Sequence, residues 1–344
     1  MTTDTHESEA ISIDGVVTTE IRARSENVPS GVIHDLYDAA REATGGPLCL
    51  SAGRTLREAV GEGDVVLLAT GAGAPPWLPR GETDGPLGAA SLARALALAL
   101  GARPVLLTEE RHLPPLRAAT RACGLNDVAY ERLVERRNAA TLEAYPETRS
   151  AAEGAAERLL EEYDPAAVVS VEKLGPNEAG VIHSITGQER PEGYARVDAL
   201  FDRVEEAGVP TVGVGDGGNE LGFGTIRDAV REIQPYGEEC VCPCGEGVAT
   251  RVEADEVVVG GTSNWGAYGI AAVLALLTET PEALHGPEEE SRMLEGATRE
   301  GANDGIHGRP VPMVDGTSEA TNRGVVAILN DVVETGLTTL DRPF

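Results

Sequence analysis

The chain is 344 residues long, with 57 Asp and Glu against 28 Lys and Arg, a formal charge of −29. That balance argues against a nucleic-acid binder, which needs a basic footprint, and against docking on anionic lipid. Hydrophobic residues make up 41 % and fall in blocks, enough for a buried core and against disorder, although aromatics reach only 3 %.

In chain order, residues 1–29 read as a flexible acidic arm with at most an edge strand over Ile11–Ile21, followed by one compact domain over 30–340. The spacing predicts a helix over Val32–Ala43 and a buried strand over Val65–Ala69. A Gly- and Pro-rich loop, Thr70–Pro86, leads to an Ala/Leu helix over Leu87–Leu100 and a strand over Pro104–Thr108. Helices are expected over Leu116–Cys123 and Ser150–Glu162, then a strand over Ala167–Val171 and a helix over Tyr194–Ala207. Strands at Thr211–Val214 and Val257–Val259 and a helix at Ala267–Leu277 complete the pattern. Short, continuously apolar strands between helices indicate an α/β fold, layered around a mostly parallel or mixed central sheet.

The basic residues are 27 arginines and one lysine, Lys173. High acid content with almost no lysine suits concentrated salt, where the Debye length falls to about 3 Å at 1 M. The expected setting is a halophilic microbial cytoplasm. Met1–Ala10 lacks a basic start and an apolar stretch, so no signal peptide is expected there. The longest apolar run, Tyr268–Leu277, is far short of the ~20 residues of a membrane span. The five cysteines are an odd number and poorly placed for a disulfide framework.

Four loops dense in Gly, Asn and carboxylate follow predicted strands: Thr70–Pro86, Glu172–Gly180, Gly213–Gly224 and Gly260–Gly266. In open α/β sheets ligands sit outside the carboxyl ends of the strands. Gly213–Gly218 matches the GxGxxG spacing, yet its first glycine lies in the strand and no helix follows directly, so a dinucleotide site is rejected. In the longer string Gly215–Gly224, Asp216, Asn219 and Glu220 offer oxygen donors suited to Mg²⁺, Mn²⁺ or Ca²⁺; the competing reading is a turn that caps the next helix. Asp84 is the expected extra ligand, or else a helix cap, with Glu82 and Thr83 beside it as substrate contacts. After the strand ending at Val171, Glu172 is the expected acid or base. Lys173 is expected as a substrate-carboxylate partner or proton carrier, with a surface ion pair as the plain alternative, and Asn177 as a substrate contact. Ser263 and Asn264 are expected to donate hydrogen bonds to a developing oxyanion. Cys240, Cys242 and Cys244 have a period of two and no nearby histidine in sequence, and read as buried small residues rather than a zinc site.

The strings GETDGP (81–86), GVGDGGNELGFG (213–224) and TSNWGAYG (262–269), with Asn303-Asp304-Gly305 and Val314-Asp315-Gly316, resemble the signature blocks of the D-glutamate cyclase-like family over about residues 30–335. Where that family carries Glu-Arg-Pro-Gly, this chain has Glu172-Lys173-Leu174-Gly175. The resemblance implies a lyase that cyclises D-glutamate to 5-oxo-D-proline with loss of water. A manganese-dependent, phosphatase-like hydrolase is the alternative the resemblance also implies. A non-catalytic metabolite-binding module is the rival from another class. The expected cofactor is a divalent metal, Mn or Mg, and the expected partners are a small carboxylate substrate and further copies of the chain.

Overall fold

The computed structural model describes residues 6–21, 29–190 and 192–339. Its elements run α1 (Glu7–Val17), α2 (Val32–Thr44), α3 (Leu48–Ala59), β1 (Val65–Thr70), α4 (Pro86–Ala99), β2 (Arg103–Thr108), α5 (Leu113–Ala122), β3 (Asn126–Asp127), α6 (Tyr130–Leu133), β4 (Ala139–Ala144) and α7 (Arg149–Tyr163). They continue with β5 (Ala167–Val171), α8 (Asp198–Ala207), β6 (Thr211–Gly215), α9 (Arg227–Ile233), β7 (Glu256–Val259), α10 (Ser263–Leu277), α11 (Pro287–Arg299), β8 (Met313–Val314), β9 (Thr317–Ser318) and α12 (Glu319–Leu337).

Alternation along buried strands produces three layers. In β1, Val66 and Leu68 join one core while Val65, Leu67 and Ala69 join the other. The first core takes helices α1 to α5 and α9 to α12; the second takes α6 to α8. The seven strands lie in the order β3-β4-β2-β1-β5-β6-β7, every neighbouring pair parallel. The chain builds outward from β1 to β2 and its neighbours, then returns to the other side of β1 at β5. The strand order therefore reverses between β1 and β5, where the loops after both strands open a crevice for a ligand.

The helix expected from Tyr194 begins only at Asp198, and two further expectations change. The described part of the amino-terminal arm is not an extended arm or edge strand but helix α1, whose Ala10, Ile13 and Val17 are fully buried. Their spacing lays one face on the core, and Asp14 accepts hydrogen bonds from the Leu48 and Cys49 amides at 2.7 and 3.1 Å. The remainder of that arm, 1–5 and 22–28, lies outside the described residues. The loop expected over Gly260–Gly266 ends at Thr262, whose hydroxyl caps α10 by accepting from the Trp265 amide at 3.4 Å. Helix α10 is buried as far as Leu276 and apolar on all sides, as a central helix must be. Among the described residues no helix is long and apolar enough to cross a membrane.

Candidate active site

Glu172 is the first residue beyond β5, and its φ of +48° places it in the left-handed region that side chains avoid. Its Oε2 accepts a hydrogen bond from Ser263 Oγ at 2.5 Å. Beyond β6 the turn folds back on itself. Glu220 Oε1 accepts from the Asp216 and Gly217 amides at 3.1 and 2.8 Å, and Oε2 from the Gly218 amide at 2.6 Å. A Cβ on Gly215 would stand 2.7 Å from the Glu220 carboxylate, so only glycine lets that side chain return over the backbone. Carboxylate oxygens of Glu172, Asp216 and Glu220 all lie within 4.8 Å of one another.

Asp84, from the loop after β1, sits at the amino end of α10. Its Oδ2 accepts from the Ser263 amide at 2.8 Å and its Oδ1 from the Asn264 amide at 2.7 Å. It caps α10 rather than the helix that follows it in sequence. Oxygens of Asp84, Asp216 and Asp315 form a second group within 4.8 Å, so Asp216 belongs to both groups. Asp315, like Glu172, has a left-handed backbone at φ +47°. Its Oδ1 and Glu82 Oε2 each lie 2.6 Å from where a Cβ on Gly305 would stand, which brings the loop 303–316 and half-buried Glu82 onto the same site.

The electrostatics follow from this crowding. Burial, reinforced by Asp84, Asp216, Asp304 and Glu220, pushes the Glu82 carboxyl up to about 8. Burial and then Asp216 push Asp84 up to about 7, against the pull of its three amide hydrogen bonds. Glu220 reaches about 7 for the same two reasons, and burial with four neighbouring carboxylates lifts Glu172 well above the ordinary range. The donors are oxygen alone, buried or half-buried, and mutually repelling. Such a set is relieved either by protons or by a hard divalent cation, and these residues could hold one.

The other expected site residues are placed differently. Lys173 is fully buried, and its Nζ donates to Glu109 Oε1 at 2.5 Å and to the Gly71 carbonyl at 2.8 Å. Neither of these partners is in the carboxylate groups, so the lysine expected to hold substrate is instead one half of a buried ion pair. Glu109 also accepts from the Ala195 amide at 2.7 Å, and its Oε2 lies 3.0 Å from His112 Nδ1. Burial opposes the charge on Glu109, but Lys173 and His112 outweigh it and hold the carboxyl below its ordinary range. Asn264 is engaged by backbone: its Oδ1 accepts from the Gly85 and Gly88 amides and its Nδ2 donates to the Thr83 carbonyl. Thr83 Oγ1 donates to the Met313 carbonyl at 2.6 Å. Asn219 Nδ2 donates to the His183 carbonyl at 2.9 Å, and Asn177 ties its own loop to the Gly247 carbonyl at 2.8 Å. These four polar side chains brace the loops whose carboxylates form the site.

Sequence reasoning missed Asp315 as a site residue and Glu109 as the partner of Lys173. Asp315 carried a signal in the pair Asp315-Gly316, while Glu109 carried only its position directly after β2. A cleft of about 710 Å³, lined by Pro210, Thr211 and Asp255, opens at the opposite, amino ends of β6 and β7.

Fold and site together define an α/β sandwich with a buried carboxylate centre at the carboxyl edge of a parallel sheet. The family described as D-glutamate cyclase-like, C-terminal, matches residues 39–330, and the chain belongs to that family. Over 111 residues it is 34 % identical to the mitochondrial D-glutamate cyclase of Homo sapiens, a stretch that covers 32 % of this chain and 17 % of that protein.

Proposed function

We propose that the chain is a metal-assisted lyase of the D-glutamate cyclase type, converting D-glutamate to 5-oxo-D-proline and water. The observation that carries this reading is Glu172, a buried carboxyl held by Ser263 and set within 4.8 Å of Asp216 and Glu220 oxygens at the end of β5. In the reaction the α-nitrogen forms a bond to the γ-carboxyl carbon and a carbon–oxygen bond breaks. The ammonium loses two protons and the departing oxygen gains two, so no net proton is exchanged with solvent. A single carboxyl near its own titration point can take a proton from nitrogen and return it to oxygen, a task worth typically 10²–10⁴-fold. Glu172 has the raised affinity for a proton that this requires, and the Ser263 hydroxyl fixes which oxygen is free to act. Asp84, Asp216 and Asp315 would hold a divalent cation, which supplies Lewis-acid polarisation and the positive charge that a substrate carboxylate needs here. Protonated Glu82, half-buried at the site, is a hydrogen-bond donor to the substrate's second carboxylate. Holding amine and carboxyl in a folded conformer supplies much of the remaining acceleration.

The test is an NMR assay of D- and L-glutamate in molar salt with Mn²⁺ or Mg²⁺, run beside a generic phosphate ester. Appearance of 5-oxoproline from the D isomer, lost in Glu172→Gln, supports the reading. Release of phosphate with no turnover of either glutamate would replace it with the hydrolase alternative.

A further inference from the structure

A second cluster lies apart from the carboxylates and is of different chemistry. Cys240, Cys242 and Cys244 are on a turn rather than a strand, and their sulfurs are 3.4, 3.4 and 3.3 Å apart. His183, far away in sequence, brings its Nε2 to 3.2 Å from the Cys242 sulfur and 3.6 Å from that of Cys244. All four donor atoms lie within 4.8 Å of one another. The histidine is fully oriented: a carbonyl can only accept, so Nδ1 donates to the Val181 carbonyl at 3.1 Å, and the Nε2 lone pair faces the sulfurs. The expectation of three buried small residues is thus overturned. Cys242 and Cys244 are only half-buried, and an imidazole completes the group.

We propose that His183, Cys240, Cys242 and Cys244 form a structural zinc site. Four nitrogen and sulfur donors close a tetrahedron and leave no open position, the arrangement of structural rather than catalytic zinc. Bonds of about 2.3 Å put tetrahedral sulfurs about 3.8 Å apart, a few tenths beyond the observed spacing. A disulfide would need about 2.05 Å. Soft thiolates favour zinc over the hard cations that suit the carboxylate site, so the two centres sort their metals by donor type. The ion would staple the loop after β5 to the loop after α9. Those loops are already joined by the Val241 amide donating to the Gly187 carbonyl at 3.0 Å and by Asn177 donating to the Gly247 carbonyl. Both also brace the turn after β6, through Asn219 to the His183 carbonyl and Gln234 Nε2 to the Gly217 carbonyl at 2.5 Å.

The full chain, purified under reducing conditions without chelator, should carry one zinc per molecule by elemental analysis. Replacing zinc by Co²⁺ should give thiolate-to-cobalt charge-transfer absorption, which oxygen donors cannot produce. Cys242→Ser should lose the metal and melt several degrees lower, while Asp216→Asn should keep its zinc, so failure of the carboxylate site leaves this result intact. Purified wild-type chain without zinc that gives no charge-transfer band with Co²⁺, or mass spectrometry showing two of the three cysteines joined as a disulfide, would overturn the proposal.

Discussion

Lys173 shows how far a single residue could be read from sequence and where the reading stopped. Its singularity among the basic residues was visible; its partner was not, because Glu109 comes from a different strand end. A fully buried pair at 2.5 Å leaves a costly orphan when one side is removed. Lys173→Met should therefore destabilise the chain by about 3–5 kcal/mol, and Lys173→Met combined with Glu109→Gln should recover much of the loss. Melting curves check this. A single variant as stable as wild type would show that the pair carries no structural weight. The carboxylates were more legible than their roles. Asp84, Asp216, Glu172 and Glu220 were all named from oxygen-rich strings beside glycine, and the structure gathers their loops. Asn264 and Thr83 spend their side chains on neighbouring backbone, a partner the sequence could not show because short polar side chains look alike there whether they meet a ligand or a backbone group.

Elements that are apolar and continuous were legible almost to the residue, as with Val65–Thr70 and Ala167–Val171. Strand β4 was not, because Ala139–Ala144 is Ala-rich, carries a glutamate and ends half-exposed, so it lacks the β-branched signature. Helix α1 was hidden by its charge. Only three apolar positions are fully buried, and the fourth buried residue is Asp14. That aspartate closes the amino end of α3 and accepts the Tyr37 hydroxyl at 3.0 Å. Asp14→Ala leaves two buried amides unpaired at about 1–3 kcal/mol each, so the melting temperature should drop clearly with the carboxylate site intact. An unchanged melting temperature would mean that α1 is dispensable to the fold.

For the whole molecule the buried carboxylates impose a pH dependence of definite sign. Glu82, Asp84 and Glu220 bind their protons more tightly folded, at about 8, about 7 and about 7, than their ordinary values allow unfolded. Their contribution is fully present below the unfolded values and is lost as pH rises through the folded ones. Without divalent metal, stability in molar KCl should fall from about pH 5 to about pH 8, each titrating group adding a slope of about 1.4 kcal/mol per pH unit. Mn²⁺ should flatten the fall, since a cation replaces the protons. A metal-free melting temperature that rises across this window would contradict the assigned burial of these groups. High salt matters separately, because a chain of charge −29 is relieved of surface repulsion when the Debye length shrinks.

The most direct measurement is calorimetric titration of Mn²⁺ into wild type and Asp216→Asn near pH 7, in buffers of different ionisation enthalpy so that released protons are counted. Asp216 belongs to both carboxylate groups, so its neutral isostere removes charge from each without altering shape. Wild type should bind Mn²⁺ saturably with proton release. Asp216→Asn should bind at least tenfold more weakly, equivalent to about 1.4 kcal/mol or more, while its metal-free melting temperature stays at or above that of wild type, because a charge repelling Asp84 and Glu220 is removed. Equal Mn²⁺ affinity in the two proteins, or no binding in either, would contradict this reading.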